Sequence, residues 1–188
     1  LAHLPTTGGA LSPAEPLPPG SRMPFSRNPL FVGRVDDLRV IATALKGAQT
    51  AAIGSVEIAA ASGLGGIGKT QLAIEFVHRY GRYFAGGVFW LSFADANAVP
   101  SEIAACGAAG HLALHPNFEA LPLDQQTKLV LEAWASPLPR LLVFDNCEDQ
   151  ALLNRWRPRV GGCRILLTSR RSQWDAAIGV QILLLGVL

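Results

Sequence analysis

The sequence GLGGIGKT at residues 63–70 decides the fold of this chain, because it matches the phosphate-binding pattern G-x-x-x-x-G-K-[ST] at every position. Its glycines permit positive φ angles and let successive backbone N–H groups surround an anion, toward which the next helix directs its N-terminus. The segment expected to bind nucleotide comprises Gly63, Leu64, Gly65, Gly66, Ile67, Gly68, Lys69, Thr70 and Gln71. We expect Lys69 to reach the terminal phosphates and the Thr70 hydroxyl to bind the accompanying Mg²⁺.

The residues on either side of this motif have the character that a phosphate-binding loop requires. Residues 56–61, VEIAAA, form a short apolar run that gives way to glycines, which is typical of a buried strand. After Thr70, apolar residues recur at helical spacing as far as Tyr80, and Gly81 stands where a helix is expected to end. The local sequence therefore predicts a strand, the loop and a helix in that order.

Further strands and helices alternate along the rest of the chain. Apolar runs predict strands at 87–93, 140–145, 163–168 and 180–185, and periodic apolar residues predict helices at 36–45, 99–109 and 124–134. Such alternation is typical of α/β proteins, in which ligands bind at the carboxyl ends of parallel strands. We therefore predict the α/β fold class and, within it, a three-layer P-loop NTPase with a mainly parallel sheet flanked by helices.

Length, composition and charge exclude several other classes of protein. The chain has 188 residues, of which 49% are hydrophobic and 16% charged, and this suits one domain with a well-filled core. There are 16 basic and 14 acidic residues, and the formal charge of +2 is too small to predict a nucleic acid or an anionic membrane as a partner. The longest apolar runs are too short to span a bilayer, so we expect no membrane segment.

The N-terminal segment and the cysteines bear on domain organisation and location. Residues 1–28 are rich in proline and in small and polar residues, which predicts a flexible arm ahead of a nucleotide-binding domain at 29–188. The first residue is leucine, which suggests a fragment or a processed chain. The cysteines, Cys106, Cys147 and Cys163, lack the spacing of metal ligands or redox pairs, so we expect reduced thiols and a cytoplasmic location.

An acid ends the predicted strand at 140–145. Asp145 ends this apolar strand, a position from which a carboxylate can hold the Mg²⁺ opposite Thr70. Asn146 comes next, where an ATPase often has a second acid that orients the attacking water. Glu148 or Asp149 could act in its place, although acids at the N-terminus of a helix are the simpler interpretation of both.

An arginine follows the next strand, at 163–168. Arg170 stands where a guanidinium group can distinguish ATP from ADP through charge-assisted hydrogen bonds to the γ-phosphate. The alternative is a salt bridge at the surface. The predicted catalytic residues are Lys69, Asp145 and Arg170, and the predicted metal ligands are Thr70 and Asp145.

Four motifs together resemble the NB-ARC nucleotide-binding domain of the STAND class of signalling ATPases. They are NPLFVGR at 28–34, GLGGIGKT at 63–70, LLVFDN at 141–146, and RILLTSR at 164–170 with a tryptophan at 174. They stand in the order found in that family and cover about residues 28 to 185. The resemblance implies a switch with an ADP-bound resting state and an ATP-bound state that forms homo-oligomers. It also implies slow hydrolysis that serves as a timer.

The same resemblance implies roles for individual residues and for partners within a longer protein. Adenine is expected to lie against Phe31, Val32, Gly33 and Arg34. The phosphates are expected at Lys69 and Thr70, Mg²⁺ at Asp145, and the γ-phosphate at Arg170. The resemblance ends before the helical and winged-helix subdomains of the family, so these are expected as intramolecular partners in a longer protein. Without the helical subdomain, one wall of the ADP pocket is missing, and we expect weaker nucleotide binding than in such a longer protein.

Three other functions would use the same phosphate loop. A GTPase would need an Asn-Lys-x-Asp motif to bind guanine, and the stretch NCED at 146–149 lacks the lysine. A small-molecule kinase would need an acidic pair that binds the acceptor, and none is evident. The remaining alternative is a scaffold or oligomerisation domain that binds ATP and barely hydrolyses it, which Asn146 favours.

Overall fold

A five-stranded parallel sheet forms the centre of the computed structural model, which describes residues 4–5, 11–47, 50–55, 68–171 and 173–185. The strands in these ranges are β1 (Thr50–Ser55), β2 (Val88–Ser92), β3 (Leu141–Asp145), β4 (Arg164–Thr168) and β5 (Val180–Leu185). Their order is β2-β3-β4-β1-β5, and all neighbours are parallel. Their carboxyl ends therefore lie along one edge of the sheet.

The inner part of the sheet is buried on both faces. All five residues of β3 are buried, as are four of the five in β2 and in β4. Apolar runs without alternation are typical of parallel strands that are covered on both faces. The sequence of β3, LLVFD, accordingly reaches its first charged residue only at the carboxyl end.

Helices cover both faces of the sheet in the described ranges. They are α1 (Val35–Gly47), α2 (Lys69–Tyr80), α3 (Val99–Ala105), α4 (Leu123–Trp134) and α5 (Gln150–Trp156). One buried cluster joins α1 and α2 to Leu141 and Val143 of β3, and a second joins α3, α4 and α5 to Leu142 and Phe144 of the same strand. None of these helices has both the length and the apolar character needed to cross a bilayer. The three-layer α/β arrangement predicted from the sequence is confirmed.

Most of the predicted elements are present, with ends within two residues of the predicted ones. The helix predicted at 99–109 is an exception, because α3 ends at Ala105. Gly107 follows the end of this helix, and a Cβ atom there would lie 2.3 Å from the Phe118 ring, so the chain packs closely against that ring at this position. The helix α5 was not predicted from its own residues, although acids at a helix N-terminus were expected just before it.

The strand that the structure describes ahead of the phosphate loop is β1, at Thr50–Ser55. Residues 56–61, which were predicted to form a strand before the loop, lie outside the described residues. The sequence of β1, TAAIGS, contains two alanines and a glycine, which are depleted in strands, so its composition did not indicate one. Its parallel pairing with both β4 and β5 gives it that conformation.

The described part of the N-terminal segment, including residues 11–28, contacts the domain, whereas the sequence predicts a flexible arm at residues 1–28. Arg22 forms an isolated parallel β-bridge with Phe89 at the outer edge of β2. Leu4 is 1% exposed, and Leu11 and Leu17 pack against the cluster beneath α1 and α2. A proline-rich composition predicts little apolar burial, yet the leucines between the prolines supply enough to hold the segment against the domain.

Candidate functional site

The N-terminus of α2 carries the two described side chains of the phosphate-binding motif. Gly68 has a left-handed backbone with φ 72°, a conformation that glycine adopts readily, and α2 begins at Lys69. The Leu72 amide donates to the Gly68 carbonyl oxygen at 2.7 Å, so the helical hydrogen bonding begins within the motif. Five predicted residues of the loop lie outside the described residues: Gly63, Leu64, Gly65, Gly66 and Ile67.

The predicted metal ligands are in contact. Asp145 ends β3 and is 9% exposed. The Thr70 hydroxyl donates to Asp145 Oδ1 at 3.1 Å, which joins the start of α2 to the end of β3 across 75 positions of sequence. The sequence pattern predicted that these two residues meet at one site, and the structure brings them together.

Thr168 is a third member of this site, and the sequence analysis assigned it no role. Its hydroxyl donates to Asp145 Oδ1 at 2.5 Å and accepts a hydrogen bond from the Asn146 amide at 3.0 Å. Thr168 is 1% exposed at the end of β4. A polar pair, Thr168 and Ser169, at the end of an otherwise apolar strand was the available signal, because a buried hydroxyl requires a partner.

The backbone turn after Asp145 favours asparagine at position 146. Asn146 has φ 58°, in the left-handed region where asparagine is enriched among residues other than glycine. The next amide, of Cys147, donates to the Thr168 carbonyl oxygen at 2.9 Å, and the Phe93 amide donates to the Asp145 carbonyl oxygen at 2.8 Å. The backbone around the carboxylate is thus held from the neighbouring strand and from the segment after β2.

The site has no reactive thiol nearby among the described residues. Cys147 is buried, and burial, with smaller contributions from Glu148 and Asp149, raises the pKa of its thiol to about 12. Burial likewise raises the pKa of Cys106 to about 12 and that of Cys163 to about 11. Thiolates are the nucleophilic and metal-binding form, so these cysteines act as buried apolar groups.

The oxygen atoms at the end of β3 fit a small divalent cation. Asp145 Oδ1 and the Thr70 hydroxyl oxygen are hard ligands of the type that Mg²⁺ binds, and they lie 3.1 Å apart. No lysine, arginine or histidine of the described ranges forms a salt bridge with Asp145. Among the described residues, the Asp145 carboxylate accepts from the hydroxyls of Thr70 and Thr168, and a cation bound here would meet a carboxylate that has no basic partner in those ranges.

Arg170 lies at the same edge of the sheet but contacts Glu148, not Asp145. The Glu148 carboxylate accepts from the Arg170 amide at 2.9 and 3.1 Å, from the Ser169 hydroxyl at 3.0 Å and from Arg170 Nε at 3.4 Å. The Arg170 side chain is 80% exposed. Glu148 therefore connects the loop after β3 to the loop after β4, and the sequence analysis gave it no such role.

The segment predicted to contact adenine forms the entry to α1. Gly33 and Arg34 both have left-handed backbones, with φ 73° and 52°, and Arg34 forms a salt bridge with Asp37 at 3.2 Å. Phe31 packs against the cluster beneath α1 and α2, whereas Val32 is 78% exposed. The segment thus presents the exposed side chain of Val32 between Phe31, which packs against the cluster, and Arg34, which is paired with Asp37.

Comparisons with known proteins give relatives at modest identity. No protein-family model matches the chain. The regulatory protein AfsR of Streptomyces coelicolor is 29% identical over 150 residues, which are 78% of this chain and 15% of AfsR. AfsR of Streptomyces griseus is 32% identical over 169 residues, 87% of this chain and 17% of that protein. A nucleotide-binding leucine-rich repeat (NLR)-like protein of Hyaloscypha variabilis is 28% identical over 138 residues, 70% of this chain and 13% of that protein.

The fold comparison agrees with the observed sheet. The crystal structure of Cdc6p from Pyrobaculum aerophilum superposes with a TM-score of 0.55 at 14% identity, covering 85% of this chain and 47% of that one. With the parallel sheet and its order, this likeness confirms the predicted three-layer P-loop NTPase fold. This chain spans less than a fifth of the length of the three relatives. The relatives and the fold together support a nucleotide-binding domain.

Proposed function

We propose that this domain is the ATP- and ADP-binding switch module of a STAND-type signalling protein, with slow Mg²⁺-dependent hydrolysis and nucleotide-controlled oligomerisation. One observation carries the proposal: Thr70 and Thr168 both donate to the buried Asp145 carboxylate at the point where α2 begins. In the fold that the chain adopts, this is the place at which a phosphate loop and a strand-end acid meet a nucleotide. The similarity to AfsR and to an NLR-like protein supports the signalling context.

The described residues at this site would have separate tasks in nucleotide binding. Lys69, in the first turn of α2, supplies positive charge to the terminal phosphates together with the helix N-terminus. Thr70 and Asp145 would hold Mg²⁺, which would supply positive charge against the negative charge of the phosphates. Thr168 fixes Asp145 Oδ1 through its hydroxyl and so orients the carboxylate.

Arg170 is proposed to distinguish ATP from ADP. Its Nε contacts Glu148, and its two Nη groups make no hydrogen bond to any residue that the structure describes. An exposed guanidinium with free Nη groups can form charge-assisted hydrogen bonds to an additional phosphate. Adenine is proposed to lie against the segment 31–34, where Val32 is exposed.

Hydrolysis is expected to be slow, because the acids near the site already have other roles. Asn146, which follows Asp145, cannot act as a carboxylate base. Glu148 is bound by Ser169 and Arg170, and Asp149 caps α5 by accepting from the Ala151 amide at 2.7 Å. A general base must be within reach of the attacking water, and each of these three residues is unsuited to that task.

The domain is proposed to work within a longer protein. The nucleotide-binding part is assigned to residues 29–188, with helical and winged-helix subdomains as intramolecular partners and a homo-oligomer as the ATP-bound form. A cytoplasmic location is proposed because the three cysteines are free thiols. No nucleic acid or membrane partner is proposed.

The alternative function is a scaffold or oligomerisation domain that binds ATP without hydrolysing it. The left-handed backbone of Asn146 favours this alternative, because asparagine tolerates this turn better than most residues and carries no catalytic charge. Both functions require nucleotide binding, and they differ in turnover. Phosphate release that exceeds the rate of an Asp145→Ala variant would exclude the scaffold.

Nucleotide binding is the test of the proposal. Fluorescent ATP and ADP are titrated against the 188-residue chain, with Mg²⁺ present or chelated and with unlabelled GTP as competitor. The test variant is Lys69→Ala, and the matched control is Lys128→Ala, which removes an exposed lysine from α4. We expect saturable binding that GTP does not displace, that weakens at least about tenfold in Lys69→Ala through loss of a charged contact, and that is unchanged in Lys128→Ala. Equal affinities for the wild-type chain and both variants would contradict the proposal.

A further inference from the structure

The chain from residue 11 to residue 30, here called the strap, crosses the outer side of α2 before it enters the segment proposed to bind adenine. It contacts the C-terminal half of α2 and the edge strand β2. The same helix carries Lys69 and Thr70 at its other end. One rigid element therefore has the proposed phosphate site at its start and the strap along its remaining length.

An ion-pair cluster around a buried carboxylate joins the strap to α2. Arg27 of the strap forms three hydrogen bonds to the Glu75 carboxylate, two from Nε at 2.9 and 3.1 Å and one from Nη2 at 2.8 Å. Arg79, one turn further along α2, donates to Glu75 Oε1 at 2.5 Å. The Glu75 side chain is 1% exposed. A buried carboxylate requires paired charge. Departure of Arg27 would therefore cost free energy, because Glu75, near the centre of α2, would keep only Arg79 of these two partners.

Further contacts hold the strap to the last turn of α2. The Glu15 amide donates to the His78 carbonyl oxygen at 3.1 Å, and Arg79 Nη1 donates to the Ser12 carbonyl oxygen at 2.8 Å. His78 Nε2 lies 3.0 Å from the Phe25 carbonyl oxygen. These contacts use polar groups of the strap backbone, so they depend on its path and not only on one side chain.

The strap is also attached to the edge of the sheet. The Arg22 amide donates to the Val88 carbonyl oxygen at 2.8 Å, and the Trp90 amide donates to the Arg22 carbonyl oxygen at 2.9 Å. Arg22 Nη1 forms a salt bridge with Glu102 of α3 at 2.9 Å, and the Phe25 ring meets the Trp90 ring edge-on at 5.2 Å. The strap thereby covers an edge strand and connects α2 to β2 and α3.

We propose that docking of the strap and binding of nucleotide are thermodynamically coupled through α2, with Arg27 and Glu75 as positioning residues. The docked strap holds α2 where Lys69 and Thr70 meet the phosphates. The nucleotide, by fixing the start of α2 and the segment 31–34, holds the strap against the domain from both sides. Glu75 is five residues beyond Thr70, about 7.5 Å along the helix axis. Because both residues belong to one helix, a displacement of α2 at Glu75 also displaces Thr70. The inference rests on the proposed nucleotide-binding function.

Coupling of this kind is reciprocal, and each direction has its own measurement. Hydrogen–deuterium exchange of the peptide covering the strap, read by mass spectrometry, reports docking, and titration with fluorescent ATP and Mg²⁺ reports binding. In the wild-type chain we expect ATP to slow exchange of the strap. In Arg27→Ala we expect ATP affinity to fall by about fivefold or more, the lower end of measured couplings, together with faster exchange of the strap. Arg27→Lys, which keeps the charge, should restore part of both effects.

The controls separate loss of coupling from loss of folding. Lys128→Ala removes a charge from an exposed pair on α4 and should change neither measurement. Phe25→Ala loosens the strap at Trp90 without unpairing a buried charge, and it serves as the test variant if Arg27→Ala does not fold. We expect Phe25→Ala to weaken ATP binding in the same direction as Arg27→Ala.

The outcomes distinguish this inference from the function on which it rests. If the wild-type chain binds ATP, the strap exchanges at the same rate with and without ATP, and the strap variants bind as tightly as the wild type, the coupling is wrong and the proposed function stands. If the wild-type chain binds no ATP or ADP, both are wrong. Slower strap exchange on ATP binding, with weaker binding in a folded strap variant, establishes the coupling.

Discussion

Two buried carboxylates of this domain have different surroundings. Glu75, in the middle of α2, is held by Arg27 and Arg79 and has a 1% exposed side chain. Asp145, at the end of β3, is 9% exposed and accepts from the hydroxyls of Thr70 and Thr168. Both accept hydrogen bonds, but only Glu75 has basic partners among the described residues.

The difference explains why one carboxylate connects parts of the fold and the other can bind a ligand. A neutralised carboxylate binds its arginines and attracts no further cation, so Glu75 joins the strap to α2. A carboxylate that is held only by hydroxyl groups keeps its charge, and its attraction for a cation is strong because the site is largely buried. Asp145 therefore has no basic partner among the described residues and is available to a magnesium nucleotide.

Removal of the neutralised carboxylate should have the largest effect on stability. In Glu75→Ala, Arg27 and Arg79 lose a common partner, and we expect a loss of about 3 kcal/mol in the free energy of unfolding, the lower end for broken buried pairs. The lower end applies because both guanidinium groups keep some access to water. The measurement is urea unfolding followed by circular dichroism.

An exposed glutamate on another helix provides the control for Glu75→Ala. Glu132 of α4 pairs with Lys128 at 3.9 Å and is 59% exposed. Glu132→Ala should cost less than about 1 kcal/mol, as expected for a surface pair. The interpretation of Glu75 as a connecting residue would be wrong if both variants unfolded at the same urea concentration.

The hydroxyl that holds Asp145 should have an intermediate effect. Thr168→Val keeps the shape of the side chain but leaves the Asn146 amide without an acceptor and removes one donor from Asp145. We expect a loss of about 1–3 kcal/mol, the penalty for an unsatisfied buried polar group. Thr168→Ser keeps the hydroxyl and should stay closer to the wild type. Differential scanning calorimetry of the two variants measures this difference, and equal melting temperatures would contradict it.

The fold was predictable where the sequence of a single element carried a clear hydrophobic pattern. The all-apolar run of β3 and the helical spacing after Thr70 each gave an element with nearly correct ends. β1 was not predictable, because its alanines and glycine have low strand propensity and its conformation comes from pairing with β4 and β5. The contacts of the N-terminal segment were not predictable for a similar reason: its composition predicts a flexible arm, while its partners, such as Glu75 and Val88, are distant in sequence.

The candidate site was likewise predictable only in part, because some of its contacts join residues that are distant in sequence. Thr70 and Asp145 were predicted together because a known spacing and a strand end mark them, and the structure brings them into contact. The contacts that Thr168 and Glu148 make were not predicted, because these contacts depend on which strand ends are neighbours. Once β3 and β4 are adjacent, the polar residues that follow each strand must meet at one edge of the sheet. The strand order therefore supplied the information that the sequence alone did not.

Neutralisation of Asp145 should have the smallest effect on stability and the clearest effect on ligand binding. In Asp145→Asn, the amide oxygen can still accept from Thr70 and Thr168, so we expect the free energy of unfolding to change by less than about 1 kcal/mol, the net contribution of one hydrogen bond. The variant loses the negative charge, so Mg²⁺ should no longer strengthen ATP binding or raise the melting temperature in the presence of ATP. Thermal melts with ATP, with and without Mg²⁺, measure both properties in the same samples. A wild-type response to Mg²⁺ in Asp145→Asn would show that the cation is held elsewhere, and a large loss of stability would show that Asp145, like Glu75, mainly holds the fold together.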